Sequence, residues 1–323
     1  MSATATETAR MPRTLLTFAL LALASASAAQ AAATRTHVSN AGNDANAAFS
    51  CDYAHPCRTL AVALANTTPG GEILAIDSSG YGKLVVDRSV SIVAAPGVFA
   101  GIGVGAGGNA TGVEIATAGV NVVLRGLTLT GQGGTYGIHM SNGSRLSVEN
   151  CVVSGFASGQ GVFVDAPATV RIVDSLFRDN SIGVVLRNGA RGSIAGSVFH
   201  GNSYDGIAVW AHVAGTTTTA DVSDSVVTGS DFGLGVWVTA DSAVGRLTVS
   251  RSTVSGNGHG IDSEWFSRAG GSATVYLSDT LVSENTIGLY QNGAGATFHS
   301  LGNNTVSGNI TATSGAIGST PPM

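Results

Sequence analysis

The chain has 323 residues, 45 of them Gly, with 44% hydrophobic and 11% charged residues and a net charge of −5. So much glycine works against a helical protein, because each Gly inside a helix costs ~1 kcal/mol relative to Ala. The apolar content excludes intrinsic disorder, and Lys83 with 14 Arg against 20 acidic residues gives no basic excess to attract nucleic acid.

In chain order, Arg10 and Arg13 precede an apolar run, Leu15 to Leu23, and then overlapping Ala-x-Ala sites. This pattern predicts a cleaved secretory signal over residues 1–33, with Met11 an alternative start. The run is about half of the ~20 residues that cross a bilayer, so no membrane span is expected and the protein should be secreted or periplasmic. Cys51 and Cys57 lie in CDYAHPC, and an oxidising compartment favours a disulfide between them. A zinc site would need two more ligands, and His55 alone does not complete the set. Residues 34–118 are expected to form an N-terminal cap and the first coils. A short helix over Thr59–Ala65 lids the stack, and EILAID and KLVVDRSVSIVAA supply irregular first strands. The string GIGVGAGG at 101–108 matches GxGxxG, but no helix follows it, so it reads as a flexible turn.

From about residue 119 to 318 one pattern returns. Aligned on an apolar anchor (Leu129, Val153, Phe177, Phe199, Val227, Val254, Val282, Val306), the copies are spaced 24, 24, 22, 28, 27, 28 and 24 residues apart. A Gly-apolar pair follows each of the first seven anchors, from Gly137-Ile138 to Gly288-Leu289. Each unit holds three short alternating stretches separated by turn residues. The fold class is therefore all-β: one right-handed parallel β-helix with a short N-terminal capping helix, then a tail at 319–323. Two positions before the anchor, Cys151 shares a column with Ser175, Ser197, Ser225, Ser252 and Thr280, so it reads as buried filler. Three positions after the anchor, Asn180, Asn202, Asn257, Asn285 and Asn309, interrupted by Ser230, predict an Asn ladder at a bend, where Asn tolerates left-handed backbone.

The stretch HPCRTLAVALANTTPGGEILAIDSSGYGKLVVDRSVSIVAAPG resembles the N-terminal cap of bacterial exported β-helix proteins of the pectate-lyase-like superfamily, and the repeats resemble the same group. That resemblance implies a polysaccharide or cell-envelope glycan as partner and raises the prospect of glycoside hydrolysis or lyase chemistry. The motifs of the characterised enzymes are missing. Of the polygalacturonase set NTD, DD, GHG and RIK, only Gly258-His259-Gly260 occurs, at an ordinary bend, and neither the lyase RxPxxR nor the epimerase DPHD is found.

Strand alternation supplies the candidate site. If the apolar residue of each Gly-apolar pair faces inward, the residues one and three places on face outward. Coils stack ~4.8 Å apart, so Trp210 and Trp237 should be outer neighbours, with Asp262 and Glu264 on the next coil. Flat aromatic faces beside carboxylates suit a pyranose and its hydroxyls. Asp165 and Arg187 complete a polar lining or form a surface ion pair. The longest coils place extra residues at Ala211–Thr219, Val238–Val244 and Phe266–Gly271, where they wall a groove. The plainer alternative has both Trp side chains packed under these segments. The expected site therefore comprises Trp210, Trp237, Arg187 and Asp165 for glycan binding, with Asp262 and Glu264 as candidate acid and base and His212 and His259 as further candidate bases. No metal or other cofactor is implied, Ca2+ being left open, and a monomer is expected. A structural or adhesive solenoid without a small-ligand site is the third reading.

Overall fold

A computed structural model describes residues 1–3, 31–266 and 269–319. The expected signal segment lies, apart from its two ends, outside the described residues, as does the tail beyond 319. Among the described residues, those from 31 to 319 form a parallel β-solenoid whose strands fall into three sheets of 12, 10 and 10 strands. One coil illustrates the path: Arg145–Glu149 in sheet 1, Val152–Ser154 in sheet 3 and Gln160–Val164 in sheet 2.

The apolar anchors form one column along sheet 3, each paired with the next from Leu129 to Val306. Leu129 to Val282 are fully buried, and the Phe177 and Phe199 rings stack at 4.9 Å. Each such side chain contributes about 1.5–3 kcal/mol by leaving water. The Gly-apolar pairs stack in sheet 2 in the same register. Glycine is obligatory there because the coils approach closely: a Cβ on Gly161 would lie 2.6 Å from the Gly183 carbonyl oxygen.

The Ser column is a buried hydrogen-bond ladder. The N–H groups of Cys151, Ser175, Ser197 and Ser225 donate to the hydroxyls of Ser175, Ser197, Ser225 and Ser252 at 3.1–3.2 Å. Cys151 is buried within this ladder, and burial pushes its thiol up to about 11. The Asn column is a ladder of amides: Asn180 donates to Asn202 at 3.0 Å, Asn257 to Asn285 at 3.0 Å and Asn285 to Asn309 at 2.9 Å. These residues do not carry the left-handed backbone expected of them. That conformation falls one place earlier, at Asp179, Gly201, Gly229, Gly256, Glu284 and Gly308, which turns each Asn amide inward to bridge coils.

In the cap, Ala33–Val38 opens sheet 1; Thr67–Ala75 pairs with it across a register shift between Ala33 and Arg35, and Val90–Ala94 continues the sheet. A 3-10 turn at Asp44–Phe49, not foreseen, precedes the helix Leu60–Ala65, whose first turn is capped by the Thr59 hydroxyl. The Cys51–Cys57 disulfide closes the loop between them. The expected flexible turn in GIGVGAGG is instead largely a strand, Ala100–Gly105, pairing with Leu127–Gln132. Ile102 and Val104 alternate into the core and hold it there despite the glycines. Among the described residues, no helix is long and apolar enough to cross a membrane.

Candidate functional site

The three longest coils spend much of their extra length on longer strands. Asp205–Ala211, Phe232–Val238 and His259–Trp265 in sheet 2, and Thr217–Ser223, Val244–Ser250 and Ser272–Ser278 in sheet 1, are each seven residues long. Only residues 212–216, 239–243 and 266–271 remain between them, so the expected insertions at 211–219 and 238–244 are partly strand.

Along the outer face of sheet 2, Arg187 pairs with Trp210, Trp210 with Trp237, Trp237 with Glu264 and Gly235 with Asp262. Simple alternation missed a third outward column two places before the inward apolar residue: Tyr136, Gln160, Ile182, Asp205, Phe232, His259 and Ile287. The pairing steps across the close-packed Gly, so this column lands on the same side as the next one. Tyr136 accordingly stacks on His139 at 4.7 Å, and His259 meets the Asp262 carboxylate at 3.1 Å.

On this face Phe163, Ile182, Val185 and Ala208 form a buried cluster, separate from the solenoid core, with Tyr136, Trp210 and Trp237 packed against it. Both Trp rings are thus half-buried, packed against this sheet cluster. They also line an open cavity of about 280 Å³ with Tyr204, His212, Thr239 and Phe266. His212, Thr239 and Phe266 come from the segments after the strands, so those segments do wall a concavity. Its volume lies just below the ~300–1,000 Å³ of typical small-molecule sites.

Trp237 is the most constrained member. Its six-membered ring lies over Gly235, where a side-chain carbon would overlap it, and its indole N–H donates to Glu264 Oε1 at 3.1 Å. Glu264 Oε2 accepts from the Asn292 amide at 3.3 Å, so both carboxylate oxygens are engaged and the residue is only 9% exposed. Asp262 is 0% exposed, and burial pushes its carboxyl up to about 6 despite the His259 hydrogen bond. That hydrogen bond raises His259. His259 opens a strand, a more constrained setting than the bend expected of it.

Asp205, which alternation did not single out, is fully buried with neither carboxylate oxygen partnered; burial, then Asp262 and Asp231, raises its carboxyl well above the usual range. Arg187 sits 3.6 Å from Asp165, beside His212, and over the rings of Phe163 at 5.2 Å and Trp210 at 5.9 Å. Trp265 packs partly into the core, with its indole N–H unpartnered. Among the described residues, no group of three or more His, Cys, Asp or Glu is arranged to hold a metal ion.

Residues 111–309 match the family model described as the right handed beta helix region. Among solved structures the chain is similar to the pectate lyase Pel9A, with a TM-score of 0.58 and 16% identity over 89% of this chain and 77% of that one. It is also similar to the A-module of the Azotobacter vinelandii mannuronan C-5 epimerase AlgE4, with a TM-score of 0.49 and 11% identity over 79% and 91%. At 16% identity the likeness to the pectate lyase shows the fold alone. A search of curated proteins gives no match.

Proposed function

Because the chain belongs to the right-handed β-helix family, a fold it shares with a pectate lyase, we propose that it is an exported protein that binds an extracellular polysaccharide on the outer face of sheet 2. The observation that carries this reading is the cavity lined side by side by the half-buried Trp210 and Trp237 and joined by Tyr204 and Phe266. A sugar ring stacks its C–H face on such a surface, and the hydroxyl and imidazole groups at the rim orient it. Arg187 and Asp165 extend the face along the solenoid axis, and the disulfide fits an oxidising compartment.

In this reading Asp262 and Glu264 support the platform. Asp262 is shielded from solvent, and Glu264 spends both oxygens holding Trp237 and Asn292. The test is affinity electrophoresis or calorimetry of the signal-free chain on a polysaccharide panel. Trp210→Ala and Trp237→Ala keep the fold and lower glycan affinity at least tenfold, whereas unchanged binding removes the site. A catalytic reading draws on one observation, the Asp262 carboxyl poised near 6 against His259. It requires reducing ends or unsaturated products from the same panel, lost in Asp262→Asn and Glu264→Gln.

A further inference from the structure

The charge on the outer face narrows the ligand class of the proposed site, an inference that rests on the binding reading above. In the three outward columns from Tyr136 to Asn292, carboxylates stand at Asp165, Asp262 and Glu264, while the fully buried Asp205, its carboxyl raised well above the usual range, adds no net charge. Arg187 is the only Arg or Lys there. Its guanidinium already faces Asp165 at 3.6 Å and has its Nε against His212, so its charge is met from within the protein. Asp231 flanks the same columns and adds a further, exposed carboxylate. Among the described residues, the cavity itself is lined by Tyr204, Trp210, His212, Trp237, Thr239 and Phe266, with no Lys or Arg.

Recognition of a polyuronate needs cations for its repeating carboxylates, Arg above all. Here the field at the site has the opposite sign, and like charges across an interface penalise the wrong partner. A neutral pyranose loses nothing by that field, since it carries no charge and offers its apolar face to the indoles and its hydroxyls to Tyr204, His212 and Thr239. We infer that the polysaccharide is uncharged, and that the carboxylates of this face reject polyanions such as pectate.

The experiment compares matched polymers. Neutral glucan, galactan and mannan are each set against the same backbone carrying C6 carboxylates introduced by oxidation, with binding followed at 10 mM and 150 mM salt. The oxidised form of any glycan bound through Trp210 and Trp237 binds at least tenfold more weakly at low salt. Its affinity then rises at 150 mM, because the Debye length shrinks from about 30 Å to about 8 Å and repulsion is screened. Asp165→Asn, which releases Arg187, raises the affinity for the oxidised polymer severalfold. Equal or tighter binding of the oxidised form, with affinity falling as salt rises, overturns the inference, as does preference for a cationic polymer such as chitosan. If no polymer binds in a Trp-dependent way, the binding reading itself fails, an outcome separate from a reversed charge preference.

Discussion

Gly235→Ala tests how the aromatic platform is held. Gly235 is not in the left-handed backbone region, so Ala meets no conformational barrier there. The new methyl's conflict is with the Trp237 ring that covers the position. One coil earlier the same column carries Ala208, buried beneath the aromatic cluster, so a methyl is compatible with this backbone in general. To make room, Trp237 must swing outward, giving up the indole hydrogen bond to Glu264, a bond to a charged group worth about 1.5–3 kcal/mol. If the ring stays, overpacking costs about 1–3 kcal/mol instead. The two routes together predict a loss of about 1–3 kcal/mol, or roughly 2–6 °C in Tm for a chain of this length. Thermal unfolding followed by circular dichroism measures the loss, and the near-ultraviolet band reports the Trp237 environment. In the Trp237→Ala background the same Gly235→Ala change becomes nearly neutral, a coupling that a double-mutant cycle reads directly. A Gly235→Ala protein with unchanged Tm and unchanged near-ultraviolet spectrum refutes the account of how Trp237 is seated.

Two further predictions concern the ladder and the acidic pocket. Ser230 interrupts the Asn column, and its buried hydroxyl has no partner between Asn202 and Asn257, so Ser230→Asn completes the ladder and stabilises by about 1 kcal/mol; a lower Tm contradicts this. Stability should also fall between pH 5 and pH 8. A carboxyl whose folded pKa is raised costs nothing below its unfolded value near 4 and its full penalty above its folded value, about 3 kcal/mol for Asp262 at about 6, with buried Asp205 acting in the same sense. His259, raised by its bond to Asp262, adds stability below its unfolded value near 6.5 and loses it as pH climbs through the folded one. Asp205→Asn with Asp262→Asn flattens the profile, and a Tm that rises from pH 5 to pH 8 in the unsubstituted protein overturns the sign.

The solenoid was legible because its determinants are local and repeated. The anchor column, the Ser column and the Gly-apolar pairs each recur at a fixed offset, and each stacks as its spacing implies. GIGVGAGG misled because glycine content outweighed two inward apolar side chains, which decide a strand once neighbouring coils pair with it. The site was half legible. Alternation placed Arg187, Trp210, Trp237 and Glu264 on successive coils, but counting by twos fails across the Gly of each Gly-apolar pair and so hid Asp205, Phe232 and His259 from the outer face. Burial was the other quantity beyond reach. Asp262 and Glu264 look like surface carboxylates in the sequence, and only the fold of Trp237 over Gly235 and the contacts of His259 and Asn292 show them enclosed.

The most direct measurement is a crystal structure of residues 34–323 with an oligosaccharide of whichever polymer the protein retains on the panel. The account predicts a sugar ring seated in the 280 Å³ concavity against Trp210 and Trp237, its hydroxyls meeting Tyr204, His212 or Thr239. An oligosaccharide bound on sheet 1 or sheet 3, with the Trp210 and Trp237 rings uncontacted, would contradict it.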